Sequence, residues 1–284
     1  MRINSNHFAE GVRVVPTPNK GGSIAPSLII IHDTAGQLDY KTSVSWLCNP
    51  QARASAHFVI GRKGEVVQLV SCLVKTWHAG KSAYKGVQNV NDFSIGIEIA
   101  NPGKLTKGER ETVARASFGR AYDLSTYGIQ FKSTPSHGEG WWMPYTQPQL
   151  DAVLALSLAL RDKYNITSLS PHWEISPGRK IDTNPIFPLQ WLRGKLEGRQ
   201  DAANVVEVEI GTPLRMWPSL FSENIVHTIE GKAYGELISS GEFFPAGRDL
   251  PFDWVSNPSK KILWHKVDVG GNIGWVLSAN VRMI

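Results

Sequence analysis

The run Leu28-Ile29-Ile30-Ile31 leaves this chain the fewest choices. Four consecutive apolar residues, mostly β-branched, predict a strand covered on both faces, because a strand with one wet face alternates apolar and polar side chains. Such strands belong to α/β folds, in which helices cover a central sheet. His32 follows directly, at the C-terminal mouth of the strand, where open α/β sheets place their ligands. A core histidine satisfied by hydrogen bonds is the plain alternative from these residues alone.

The segments that follow fit that class. Tyr40 to Leu47 has the spacing of a short amphipathic helix with Val44 and Leu47 inward. His57-Phe58-Val59-Ile60 and Val66 to Val70 predict a strand pair joined by the turn chemistry of Gly61-Arg62-Lys63-Gly64. Thr76-Trp77-His78-Ala79-Gly80 is polar, aromatic and ends in Gly, suited to the wall of a carbohydrate or peptide groove, or equally to a surface turn around a packed Trp. Phe93 to Ile99 alternates: Ile95, Ile97 and Ile99 take one face of a strand, and Ser94, Gly96 and Glu98 the other. Glu98 beside such small neighbours faces either open solvent or a cleft.

Residues 101–145 read as loop-rich, a lid or groove wall, with Thr106-Lys107-Gly108-Glu109 as a capping box opening a short helix towards Phe118. His137 reads there as an exposed loop residue. The clearest helix starts at Thr146-Gln147-Pro148-Gln149, with an N-cap Thr, a Pro in the first turn and a capping-box Gln. Its stripe of Leu150, Val153, Leu154 and Leu158, extended by Leu156 and Leu160, is core. Ser168 to His172 predicts a short strand, and Phe187 to Leu196 a closing amphipathic helix.

Between those last two elements lies the densest chemistry. Pro171 to Asp182 puts His172, Lys180 and Asp182 into one irregular segment bent at Pro177-Gly178. A loop pinned by proline can hold an imidazole and a carboxylate at converging angles, as a metal site requires. A packed His beside Trp173 and a solvated Lys–Asp pair are the alternative. Glu174, two residues after His172, competes with Asp182 for the carboxylate role.

Length and composition bound the rest. The 284 residues suggest about two domains. Hydrophobic content of 42% with 19% charged residues is that of an ordinary globular protein. No apolar run reaches the roughly 20 residues of a membrane span. The residues from Met1 to His7 form no apolar h-region, so synthesis in the cytoplasm without a Sec-type signal is expected. Cys48 and Cys72, the only two cysteines, read as buried free thiols. The net charge of +5 divides into +7 over residues 1–202 and −2 over 203–284, so the basic part suits an anionic partner. Its Lys and Arg are scattered and form no nucleic-acid motif, and neither nucleic acid nor membrane is expected as a partner.

Beyond Glu197 to Asn204 the pattern changes to short strands: Val206-Glu207-Val208, Tyr234 to Ile238, Leu263 to Val267 and Gly274 to Leu277. That spacing predicts a small all-β barrel. The expected organisation is a domain over 1–199, a linker over 200–205 and a second domain over 206–284.

Taken together, Ile30-Ile31-His32, Ser55-Ala56-His57-Phe58-Val59-Ile60, Trp77-His78-Ala79-Gly80, Ser94-Ile95-Gly96-Ile97-Glu98 and His172 through Gly178-Arg179-Lys180-Ile181-Asp182 resemble the type-2 family of zinc-dependent N-acetylmuramoyl-L-alanine amidases. The resemblance covers most of residues 25–197. It implies a mixed central sheet flanked by helices and one zinc ion held by His32, His172 and Asp182. Glu98 is implied as catalytic acid/base, Lys180 as oxyanion stabiliser, and Trp77, His78, Ala79 and Arg179 as substrate contacts. One branch of the family has a Tyr and a Cys where this chain has Glu98 and Asp182, so the chain resembles the AmpD/AmiD-like branch. The C-terminal part resembles a bacterial SH3 domain through Gly274-Trp275-Val276, with Ser239 to Pro258 as an insertion. The combination implies a peptidoglycan-cleaving enzyme of the endolysin type, reaching the wall after release through a holin or another route. A recycling amidase for anhydro-muropeptides and a non-catalytic muropeptide-binding protein are the competing expectations.

Overall fold

The computed structural model describes residues 1–198, 205–209, 211–215, 225–230, 233–243, 262–269 and 272–283. The chain forms two compact units, Met1–Glu197 and Gly198–Ile284.

The first unit is built on a mixed sheet. Strands β1 (Arg13–Val14), β2 (Leu28–Asp33), β3 (Phe58–Ile60), β4 (Val66–Gln68) and β5 (Ser94–Ile99) form before the chain leaves the sheet. It then makes β6 (Lys104–Lys107), β7 (Val113–Ala116), β8 (Ala121–Asp123), β9 (Gln130–Thr134) and β10 (Gly138–Trp142), and returns through a long helix to β11 (Leu169–Pro171). The main sheet has the order β1-β4-β3-β5-β2-β11. Only the β3–β4 hairpin is antiparallel; β2 is flanked by parallel β5 and β11. Every residue of β2 is buried, as the Leu28–Ile31 run requires.

The helices cover this sheet. α1 (Tyr40–Leu47) buries Ser43, Val44 and Leu47 against Ala56, Val59, Val67 and Leu69. α2 (Gln147–Tyr164) starts with the capping box expected of Thr146 and Gln149. Its Leu150, Val153, Leu156 and Leu160 pack on Ile29, Ile31, Ile95 and Ile97. A single helical turn, α3 (His172–Ile175), follows β11, and α4 (Leu189–Leu196) closes the unit through Leu192 and Leu196.

Residues 104–142 correct the loop-rich expectation: they form a five-stranded antiparallel sheet, β8-β7-β6-β10-β9. Thr106 pairs with Arg115 and Lys107 with Ala114, so the apparent capping box lies at the end of a strand. Gly108 makes the tight return, because a Cβ there would lie 2.7 Å from the Val113 carbonyl oxygen. Leu105, Ala114, Ala116, Tyr122, Ile129 and Met143 form this sheet's own core. His137 is likewise corrected from exposed to buried.

In the second unit, β12 (Val205–Val208), β13 (Pro213–Arg215), β14 (Ile225–Thr228), β15 (Ala233–Phe243), β16 (Ile262–Val269), β17 (Asn272–Leu277) and β18 (Val281–Met283) make a seven-stranded sheet in the order β14-β13-β17-β16-β15-β12-β18. Val206, Val208, Leu214, Ile229, Val267, Val269 and Val276 form its core. Of the expected insertion, Ser239 to Phe243 lengthens β15, and residues 244–258 lie outside the described residues. Among the described residues, no helix is long and apolar enough to cross a membrane.

Candidate active site

Parallel register assembles the site. β2 and β5 pair His32 with Glu98, so the two side chains leave the sheet on one face at the carboxyl ends of their strands. On the other flank Pro171 pairs with Ile31, which delivers His172 next to His32. The backbone N–H of Trp173 donates to the Asp182 carbonyl oxygen at 2.8 Å and folds the far end of the loop back onto its start.

Three atoms converge there. His32 Nδ1 lies 2.9 Å from His172 Nδ1 and 3.1 Å from Asp182 Oδ2, and His172 Nδ1 lies 3.0 Å from the same oxygen. A neutral imidazole nitrogen carries either a proton or a lone pair. No assignment of protons turns all three sides of this triangle into hydrogen bonds, whereas a cation takes all three lone pairs. Tetrahedral zinc with N and O ligands at about 2.0–2.1 Å sets neighbouring donors about 3.3 Å apart. Two imidazoles and a carboxylate are also a donor set zinc accepts, so the residues fit that ion.

Burial sets the charges. Burial first, then the neighbouring His172, lowers His32 to about 4, which keeps it neutral. Burial alone would raise Asp182, but hydrogen bonds and charge from His172 and His32 outweigh it and hold the carboxyl far below the usual range. Glu98 behaves in the opposite way: burial, then the charges of Asp182 and Asp33, push it to about 8, while Lys180 pulls it down. Its Oε2 is buried without a hydrogen-bond partner among the described residues. A carboxyl group poised near neutrality, with one oxygen uncommitted, can take up and release a proton.

Glu174 is occupied elsewhere: it pairs with Arg193 and accepts a hydrogen bond from Ser170 Oγ at 2.8 Å. The turn of α3 directs it away from His172, and Asp182 is the carboxylate brought to both imidazoles.

Trp77 is partly exposed, but His78 and Ala79 are buried behind the triad. His78 Nδ1 lies 2.9 Å from His32 Nε2, and the Ala79 carbonyl oxygen lies 3.1 Å from His172 Nε2. Arg179 donates through Nη2 to the carbonyl oxygens of Ala79 at 2.7 Å and Lys81 at 2.9 Å, and to Ser176 Oγ at 2.7 Å. These contacts staple the 79–81 turn to the 176–179 loop.

Four supporting residues, Asp33, Tyr145, Asn184 and His137, were not assigned this role from the sequence. Asp33 accepts from Tyr145 Oη at 2.5 Å and from the Asn184 backbone N–H at 2.9 Å, which holds the segment after Asp182. Burial, then Asp182, raises Asp33 to about 7 against these hydrogen bonds. Its place directly after His32 was the available signal. His137 donates through Nε2 to the Thr183 carbonyl oxygen at 2.9 Å.

Comparison with known proteins follows the same region. The profile of a family described as N-acetylmuramoyl-L-alanine amidase, Amidase_2, matches residues 22–185. The chain is 27% identical over 204 residues to the 1,6-anhydro-N-acetylmuramyl-L-alanine amidase AmpD of Escherichia coli (strain K12), covering 64% of this chain and 90% of that protein. It is 28% identical over 174 residues to the N-acetylmuramoyl-L-alanine amidase AmiD of the same organism, covering 58% of this chain and 51% of that one. A solved structure of E. coli AmiD with the substrate anhydro-N-acetylmuramic acid-L-Ala-D-gamma-Glu-L-Lys is 27% identical, with a TM-score of 0.44, and covers 66% of this chain and 60% of that chain.

Proposed function

The chain belongs to the N-acetylmuramoyl-L-alanine amidase family, Amidase_2, and on that premise we propose how its residues carry out the reaction. It is an amidase that hydrolyses the bond between N-acetylmuramic acid and L-alanine in peptidoglycan.

His32 Nδ1, His172 Nδ1 and Asp182 Oδ2 would hold one zinc ion. Such an ion, when bound, supplies Lewis-acid activation of water and of the scissile carbonyl. Glu98 takes a proton from the water that attacks the lactyl carbonyl carbon. As the carbon–nitrogen bond breaks, Glu98 returns that proton to the departing nitrogen of L-alanine. The raised proton affinity of Glu98 suits both halves of this task near neutral pH. Lys180, close enough to perturb both His32 and Glu98, places its ammonium against the negative charge that develops on the carbonyl oxygen. Trp77 offers an exposed aromatic surface to the substrate. The observation that carries this reading is the triangle of three lone-pair donors beside an uncommitted, buried carboxyl group.

The second unit is assigned as an SH3-like wall-binding domain over 206–284, joined by a linker over 200–205 to a catalytic domain over 1–199. This organisation favours intact cell wall as the substrate and an endolysin-like lytic role, with access to the wall after release from the cytoplasm. Recycling of soluble anhydro-muropeptides is the second reading. It is favoured by the match to 90% of an amidase named for the 1,6-anhydro sugar.

Digestion of purified sacculi, followed by mass spectrometry, tests the reaction. Free stem peptides beginning with L-alanine are expected, and their absence contradicts it. Comparing turnover on sacculi with turnover on anhydro-muropeptide separates the two settings: faster turnover of sacculi supports the lytic role.

A further inference from the structure

We propose that the segment Trp77–Gly80 is the positioning device of the metal centre: His78 sets the ring of His32, and the Ala79 carbonyl sets the ring of His172. The inference rests on His32 and His172 being metal ligands through Nδ1, and assigns His78 and Ala79 a role other than touching substrate.

The direction of each hydrogen bond follows from groups that cannot change role. Ser94 Oγ lies 2.6 Å from the Val90 carbonyl oxygen, which only accepts, so the hydroxyl proton goes there. Ser94 Oγ is then the acceptor for His78 Nε2–H at 3.2 Å. His78 therefore carries its lone pair on Nδ1, which accepts from His32 Nε2–H at 2.9 Å. That leaves the lone pair of His32 on Nδ1, at the triad. His172 is fixed in the same sense by one step: its Nε2 faces the Ala79 carbonyl oxygen at 3.1 Å, so Nε2 carries the proton and Nδ1 the lone pair. Arg179 Nη2 also approaches His172 Nε2, at 3.4 Å, but its contacts to Ala79, Lys81 and Ser176 are all shorter and share its two protons. With the other tautomer, either histidine would point an N–H at the ion and cease to be a ligand.

The segment is itself held rigidly. Asn91 Oδ1 accepts from the backbone N–H groups of His78 at 3.1 Å and Ala79 at 2.8 Å. The backbone N–H of Trp77 donates to Ser55 Oγ at 2.9 Å. Gly96 makes room for the ring of His78, since a Cβ at position 96 would lie 2.5 Å from His78 Cγ. A single stretch of chain thus serves both imidazoles, and the small residue on β5 beside Glu98 exists to admit it.

Zinc affinity of the metal-free chain, measured by competition with a chromogenic chelator, tests this. His78→Ala should weaken zinc binding about 10- to 100-fold. His78→Asn, whose Oδ1 can replace Nδ1 as acceptor, should recover most of that loss. Gly96→Ala keeps every polar group yet displaces the ring, and should also weaken binding; it carries the test if His78→Ala does not fold. Nitrogen NMR of the imidazoles should show His32 as the Nε2–H tautomer in the metal-free wild type and a mixture in His78→Ala. A folded His78→Ala with wild-type zinc affinity, or a His78→Asn no better than His78→Ala, overturns the proposal and leaves the ligand assignment standing. Asp182→Ala is the control for that assignment: it should lose zinc, and unchanged affinity there overturns both.

Discussion

The two sheets of the first unit handle their surfaces in opposite ways. The mixed sheet is covered on both faces, and β2, an interior strand, shows no exposed residue. The antiparallel sheet of residues 104–142 packs one face on its own core and leaves Phe131 half exposed. The triad and Glu98 stand at or beside the ends of the covered sheet, where neighbouring strands and α2 remove freedom of movement. A metal site needs its donors fixed to within tenths of an ångström, and a strand packed on both sides supplies that. The antiparallel sheet touches the site at its border, where His137 reaches the Thr183 carbonyl and Met143 offers its carbonyl oxygen to the side chains of Asn101 and Asn184, both at 3.0 Å. The difference suits the first sheet to the proposed chemistry and the second to bracing.

That division is open to attack, beginning where the effect should be greatest. Glu98→Gln keeps the shape of the side chain and should retain zinc while losing about 10²- to 10⁴-fold in kcat; near-normal turnover on muropeptide would remove Glu98 from the mechanism. Lys180→Ala should cost about 10²- to 10³-fold in kcat with zinc affinity little changed. Steady-state kinetics beside a zinc titration check both.

The next effect is one of pH. Burial lowers His57 to about 3 from 6.5, so the native chain keeps it neutral while the unfolded chain protonates it below about 6.5. The stabilisation from this group is complete above that pH, falls as pH drops towards about 3, and is flat below. Urea unfolding of the metal-free chain should therefore fall more steeply with acid in wild type than in His57→Gln, by about 1.4 kcal/mol per pH unit. Parallel curves would show that His57 is not held neutral in the fold.

On the bracing sheet the effects should be smaller and of another kind. His137→Ala leaves the Thr183 carbonyl without its donor and should cost about 1–3 kcal/mol of stability. Phe131→Ala should stay within about 0.5 kcal/mol of wild type. Thermal or urea unfolding measures both, and a loss of turnover from Phe131→Ala as large as that from Lys180→Ala would break the division.

Legibility followed the range of the interactions. The run Leu28–Ile31 specified the covered strand because burial on both faces leaves no other pattern, and the alternation from Ile95 to Ile99 placed Glu98 on the face away from the core. Thr146 and Gln149 announced α2 because a capping box is local. The 104–142 sheet was hidden because a strand is decided by its partner: Thr106 and Glu109 imitate a helix start, and only the pairing of Thr106 with Arg115 and of Lys107 with Ala114 decides otherwise. The choice between Asp182 and Glu174 depended on Arg193, which sits 19 residues along the chain from Glu174. His78 was readable as a polar aromatic neighbour of Trp77, but its place behind His32 depends on the space over Gly96.

The central claim is that a metal at the mouth of the covered sheet drives amide hydrolysis. The direct measurement is turnover of purified sacculi by enzyme stripped with chelator and then titrated with zinc. Activity absent after stripping and restored to a plateau at one zinc per chain agrees with the claim. Undiminished release of L-alanine-terminated peptides by the stripped enzyme contradicts it.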